Sequence, residues 1–164
     1  MARYGWRVMS PEPIQDGGPN YVLVGMYGMI WTRRTVRALC QGLKSVTGFA
    51  PLSARERRAL AMSTRERRAL ARKHILDRAP CGCGLYAMNE PSRLEINSSR
   101  EVVVLVSAWG AVDPRESGFR SEYQRIEHLC LSPYYTNSKR LSGTMRERYR
   151  VPVTVGYPEG VVNV

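Results

Sequence analysis

The sequence predicts an α+β fold, a small antiparallel β-sheet or partly open barrel with two or three helices. Three features predict it. The run EVVVLVSAWGAV at 101–112 is the longest β-branched stretch, and a turn of Asp-Pro and Gly type separates it from a second extended stretch, FRSEYQRIEHLCL. Residues 53–72 hold two successive Ser-x-x-Glu capping boxes ahead of Ala/Leu-rich turns, a helix signal. The run YVLVGMYGMIW at 21–31 is aromatic and β-branched, as strands are. A chain of 164 residues is long enough to bury one core of its own. The expected organisation is an irregular N-terminal arm over 1–20 and a single α+β domain over 21–164, with a basic helical insertion at about 53–78.

Along the chain, Pro11, Pro13, Gly17, Gly18 and Pro19 break periodicity, which predicts an irregular arm. Residues 21–31 read as one strand, with Gly25 and Gly28 marking bulges or close backbone approach. In RRTVRALCQGLK, Val36, Leu39, Cys40 and Leu43 recur at helical spacing and predict a short amphipathic helix. SARERRALAM at 53–62 and STRERRALAR at 63–72 match at eight of ten positions. Each copy opens with a capping box, Ser53 with Glu56 and Ser63 with Glu66. Ten residues advance a helix by about 280°, so Leu60 and Leu70 fall on different faces and no continuous apolar stripe forms. CGCGLYAM predicts a tight turn and a short strand, and DPRESG closes a hairpin between the two long strands. TMRERYR predicts a short helix, and VPVTV a closing strand whose Pro152 places it at an edge.

The formal net charge of +11 gives the surface a field that attracts phosphates, anionic lipid or acidic proteins. Nine Lys or Arg against three acids in residues 53–78 make that segment the main basic patch. Two readings stay open for it. One is a solvated helix or pair of helices produced by local duplication. The other is a phosphate-contacting surface, in which Arg55, Arg57, Arg58, Arg65, Arg67, Arg68, Arg72 and Lys73 meet a nucleic acid. The opening residues hold no apolar stretch long enough for a secretory signal, and no run of about 18 uncharged apolar residues occurs. The expectation is a cytoplasmic protein with no transmembrane segment.

Four cysteines at 40, 81, 83 and 130 are too sparse for a disulfide framework, which leaves metal binding or unpaired thiols. Trp109, Arg120, Glu122 and Tyr123 flank the DPRESG turn. Paired strands would let Trp109 form an aromatic platform near Arg120, with Glu122 neutralising it. The plainer reading is a core tryptophan beside a local ion pair. The candidate acids, bases and thiols form no triad, P-loop or dinucleotide fingerprint, so no catalytic residues are assigned and a non-enzymatic role is expected.

Four motifs occur in order: Cys81-Gly-Cys-Gly-Leu-Tyr-Ala87, the W-G-x-V of Trp109 to Val112, the G-x-R-x-E of Gly118 to Glu122, and the Y-x-V-P-V of Tyr149 to Val153. In this order they resemble an uncharacterised family of small actinobacterial and phage proteins, over roughly residues 21–155 without the repeated basic segment. The resemblance brings no established activity. It implies that Cys40 and His74 match an upstream Ala-x-Cys and a His preceding Ala-Pro. Here His74 stands further from Ala79-Pro80, and Arg150 replaces the glycine usual before V-P-V.

A closed structural zinc site takes four Cys or His ligands, with one close pair on a knuckle. Cys81 and Cys83 supply such a pair. With the positions that the resemblance implies, the candidate set is Cys40, His74, Cys81 and Cys83. A competing set uses His128 and Cys130, two apart on one strand face. A third reading leaves Cys40 and Cys130 as small buried apolar residues and the C-x-C of Cys81 and Cys83 as a turn with unreactive thiols. The expected function is a nucleic-acid-binding module, with or without structural zinc. The alternative is a phage or host accessory protein that binds an anionic nucleotide or an acidic protein near Trp109 and Arg120.

Overall fold

The computed structural model describes residues 2–14, 21–25, 29–39, 62–79, 83–98, 100–135 and 138–163. Their elements are, in order, β1 (Arg3–Pro13), β2 (Tyr21–Gly25), β3 (Met29–Trp31), β4 (Thr35–Arg37), α1 (Thr64–Leu76) and β5 (Leu85–Met88). There follow a 3-10 turn (Pro91–Arg93), β6 (Glu95–Ile96), β7 (Val102–Pro114), β8 (Gly118–Leu131), α2 (Ser138–Tyr149), β9 (Val153–Val155) and β10 (Val162–Asn163). The fold is mixed α+β, dominated by an eight-stranded sheet, and β6 and β10 form a separate parallel pair. Among the described residues, no helix is long and apolar enough to cross a membrane.

The β7–β8 hairpin is the frame. The Arg115 amide donates to the Gly118 carbonyl at 2.8 Å and closes the DPRESG turn where the sequence places it. β7 pairs along the whole of one edge of β8. The other edge takes three short strands in turn: β5 at Gly118–Ser121, β4 at Tyr123–Arg125 and β9 at Leu129–Leu131. β9 runs parallel to β8, and Pro152 precedes it. β1 joins β7 over Arg3–Met9, touches β5 at Trp6↔Met88 and continues into β2 and β3. Ladders thus run in a ring from β1 through β5, β8 and β7.

Both faces of β7 are covered, which is why its Val run lacks polar alternation. Val102, Val104, Val106 and Ala108 enter the main core with Met9, Leu23, Trp31, Phe119, Ile126 and Leu129. Val103 faces a smaller cluster with Leu94, Ile96 and Cys130. α2 buries Leu141, Met145 and Tyr149, one per turn. The Tyr149 hydroxyl donates to the Trp31 carbonyl at 2.6 Å and accepts from the Leu23 amide at 2.8 Å, so it ties both strands of the β2–β3 hairpin to α2. Arg150, just after α2, adopts φ 52°, a conformation that favours glycine after a helix.

Three elements differ from expectation. The N-terminal arm is a strand over Arg3–Pro13. Its buried face alternates through Gly5, Arg7, Met9 and Pro11, a pattern that the charge of Arg7 and the prolines obscure. The 21–31 run is a hairpin, β2 and β3, rather than one strand. Residues 35–37 of the expected amphipathic helix pair with β8 as β4, where a three-residue strand leaves too little pattern to read. The remainder of that helix, residues 40–44, lies outside the described residues, as does the first copy of the repeat up to residue 61. The second copy forms α1, and its capping box is complete: Ser63 Oγ accepts from the Glu66 amide at 3.3 Å, and Glu66 accepts from the Ser63 amide at 2.8 Å.

Candidate nucleic-acid interface

An irregularity in the hairpin builds the site. Counting from the turn, Pro114 opposes Phe119, Asp113 opposes Arg120 and Val112 opposes Ser121. The register then shifts, and Trp109 opposes Tyr123. Gly110 and Ala111 therefore stand together against Glu122, a bulge whose glycine has φ 79°. The amide that the bulge withdraws from the ladder, that of Ala111, donates to Glu122 Oε2 at 3.2 Å. A side chain on Gly110 would place its Cβ 2.8 Å from Tyr123 and 2.9 Å from the Glu122 carboxylate. Gly110→Ala is expected to cost about 1–3 kcal/mol in thermal unfolding and to weaken the near-UV circular dichroism of the Trp109–Tyr123 pair.

Trp109, Tyr123 and Arg37 occupy neighbouring positions on β7, β8 and β4. The two rings stack 5.5 Å apart at 4°, and the Arg37 guanidinium lies 4.9 Å from the Tyr123 centroid. Beneath the row, Glu122 is fully buried. Its Oε1 accepts from Arg37 Nε at 3.1 Å and Nη2 at 2.7 Å, and its Oε2 lies 3.7 Å from Arg72 Nη1. Trp109 is at the end of the row, one residue past Ala108, where the β1 ladder stops.

Arg72 belongs to α1, which packs on β7 and β8 through Ala71 and Ile75. Arg65, Arg68, Arg72 and Lys73 are exposed, and Arg67 is half-buried. Among the described residues, no carboxylate lies within ion-pair distance of Arg65, Arg68 or Lys73. Glu122 therefore joins the aromatic row to the basic side of α1. Arg55, Arg57 and Arg58 lie outside the described residues.

Arg120 does not join this row. It is fully buried, with Nε donating to Asp113 Oδ2 at 2.9 Å and Nη2 to the His74 carbonyl at 2.9 Å. It thus binds the last turn of α1 to the hairpin, and the expected platform of Trp109 beside Arg120 is replaced by Trp109 beside Tyr123 and Arg37. The reason is alternation: Arg120 pairs across the hairpin with Asp113, three rungs nearer the turn than Trp109. Burial alone would lower the Arg120 guanidinium, but hydrogen bonds with Tyr86 and Asp113 outweigh it and raise its pKa. Burial would likewise raise the Asp113 carboxyl. The hydrogen bonds of Arg115 and Arg120 prevail, and its pKa falls below the ordinary carboxylate value.

Two of the four candidate metal ligands are described, and they touch: His74 Nδ1 is 3.2 Å from Cys83 Sγ. His74 comes from the end of α1, and Cys83 from the turn before β5, where Gly84 has φ 110°. Cys40 and Cys81 lie outside the described residues. Among those described, no three His, Cys, Asp or Glu side chains form a group able to hold a metal. The competing pair meets Thr154 of β9 instead, His128 Nε2 at 3.0 Å and Cys130 Sγ at 3.6 Å from its Oγ1.

Sequence reasoning missed Arg37 and Asp113. Arg37 falls within the helix expected from RRTVRALCQGLK, and three residues of strand leave too little pattern to reveal β4. Asp113 read only as a turn former. Compared with known proteins, the chain matches no family model, no curated protein and no solved structure.

Proposed function

We propose that the protein is a non-enzymatic nucleic-acid-binding module. One observation carries the reading: Glu122 hydrogen-bonds Arg37 and forms an ion pair with Arg72 at 3.7 Å, which sets a Trp–Tyr–Arg row beside a helix with exposed Arg65, Arg68 and Lys73. Guanidinium and ammonium groups on α1 meet phosphates, and Trp109 at the end of the row offers a stacking surface to an unpaired base. Arg55, Arg57 and Arg58 extend the same basic segment in sequence.

The test is fluorescence anisotropy with short single-stranded DNA and RNA across a salt series. Binding is expected at low salt. Replacing Arg65, Arg68 and Lys73 with Gln is expected to weaken it and to lower the slope of log K against log salt by about 2. Trp109→Ala is expected to cost about 1–3 kcal/mol in binding. No binding at low salt, or unchanged binding by the triple variant, overturns the reading.

The same proposal includes a structural zinc site at Cys40, His74, Cys81 and Cys83. In a tetrahedral site with Zn–S about 2.3 Å and Zn–N about 2.0–2.1 Å, sulfur and nitrogen stand roughly 3.5 Å apart. The His74–Cys83 separation of 3.2 Å is close to that. Cys81 is two residues from Cys83, and Cys40 two from Ala38, whose amide donates to the Glu122 carbonyl at 2.7 Å. Cys83 is 2% exposed, a setting suited to a structural ligand and closed to the substrate of a nucleophile. Zinc there would fasten α1, and with it the basic face, to the sheet.

A further inference from the structure

We propose that the cleft between β1 and β5 binds a small amphiphilic anion, an apolar body ending in one phosphate or carboxylate, with Arg7 receiving the charged end. The ladder between these strands is a single step, Trp6↔Met88. Beyond it the strands part, and a cleft of about 990 Å³ lies there, lined by residues from both faces of β1. Met9, Val24, Met88, Leu94 and Phe119 give it apolar walls.

Arg7 lines this cleft and is only 7% exposed. Alternation along β1 sets it between Gly5 and Met9 on the interior face. Its Nη1 donates to Gln124 Oε1 at 2.7 Å, and its guanidinium lies 5.0 Å from the Trp31 ring centroid. Gln124 is held in that orientation because its own Nε2 donates to the Leu85 carbonyl at 2.8 Å. Arg7 Nε is buried without a hydrogen-bond partner. Gly25 leaves room for the group, since a Cβ there would lie 2.8 Å from Arg7 Nη2.

Two other buried charged side chains each have a partner of opposite sign. Arg120 faces Asp113, and Glu122 faces Arg37 and Arg72. Among the described residues, no carboxylate pairs with Arg7. A buried cation with one neutral acceptor is destabilising unless an anion joins it. Burial lowers its pKa to about 10, so it remains charged at neutral pH. The acids lining the cleft are Glu12 and Glu95, which are exposed, and Glu101, whose carboxylate accepts the amides of Asn97 and Ser98 at 2.6 and 3.2 Å. None of them neutralises Arg7. An anion with an apolar tail meets both the unfilled donors and the walls.

The proposal is tested by calorimetric titration of the wild-type protein with octyl phosphate, octanoate and octanol. At least one of the two anions is expected to bind, one per chain, ten-fold or more tighter than the alcohol, and the tighter of the two identifies the head group. The same titration is expected to move the Trp31 indole N–H resonance. Arg7→Met is expected to keep or raise the melting temperature and to reduce anion binding to the level of octanol. Failure of both anions to bind, equal binding of the alcohol, or binding that leaves Trp31 unmoved overturns the proposal, and these readouts stand even if the variant does not fold.

Discussion

Asp113→Ala is expected to destabilise the protein by about 3–5 kcal/mol, the usual result of leaving a buried charge without its partner. In a chain of this length that corresponds to a fall of roughly 6–20 °C in melting temperature. Asp113 Oδ2 accepts from Arg120 Nε at 2.9 Å and from Arg115 Nε at 3.0 Å and Nη2 at 2.8 Å, and its Oδ1 lies 3.4 Å from Arg78 Nε. Arg78 and Arg115 are exposed and would turn to water. Arg120 cannot, since it is held inside between the end of α1 and the turn before β5. Asp113→Ala combined with Arg120→Met is expected to recover much of the loss, because the stranded charge is then gone. A single-variant loss under about 1 kcal/mol would show that the pair is not a structural tie.

Removal of metal is expected to have the second large effect. Structural zinc contributes apparent binding free energies of about 10–16 kcal/mol in zinc-finger peptides. This chain has its own core, so chelation is expected to lower its melting temperature by more than roughly 10 °C rather than unfold it outright. One zinc per chain in the purified protein, the same loss in Cys83→Ser, and no loss in His128→Ala would assign the metal to the set that includes His74 and Cys83. A chelator that changes nothing, with no metal in the purified protein, excludes it. The 3.2 Å contact would then be a hydrogen bond between thiol and imidazole.

The parts of the fold legible in the sequence are those fixed locally. The β7–β8 hairpin follows from one apolar run and one turn, and α1 from one capping box. β1 and β4 were not legible, because their partners are remote: Arg3 pairs with Ala108 and Thr35 with Arg125. The site shows the same division. Trp109 and Tyr123 were identified as neighbours of the turn, but their stacking depends on a bulge. An unbroken register from Pro114 and Phe119 would set Trp109 against Gln124. His74 and Cys83 belong to one candidate set from the resemblance and the cysteine spacing, and they are in contact. Arg7 escaped notice because an isolated arginine in a breaker-rich arm gives no sign of facing inward.

The late position of the hairpin bears on how the chain is made. β1, β2 and β3 leave the ribosome early and can form a meander, but the Arg3–Met9 edge of β1 finds its partner only when β7 emerges. Until then Met9, Leu23 and Trp31, buried in the finished molecule, have no core to enter. An unpaired edge beside uncovered apolar side chains is the usual seed of aggregation. Newly made protein is therefore most exposed to misassembly during translation, and slower synthesis between β4 and β7 would lengthen that interval.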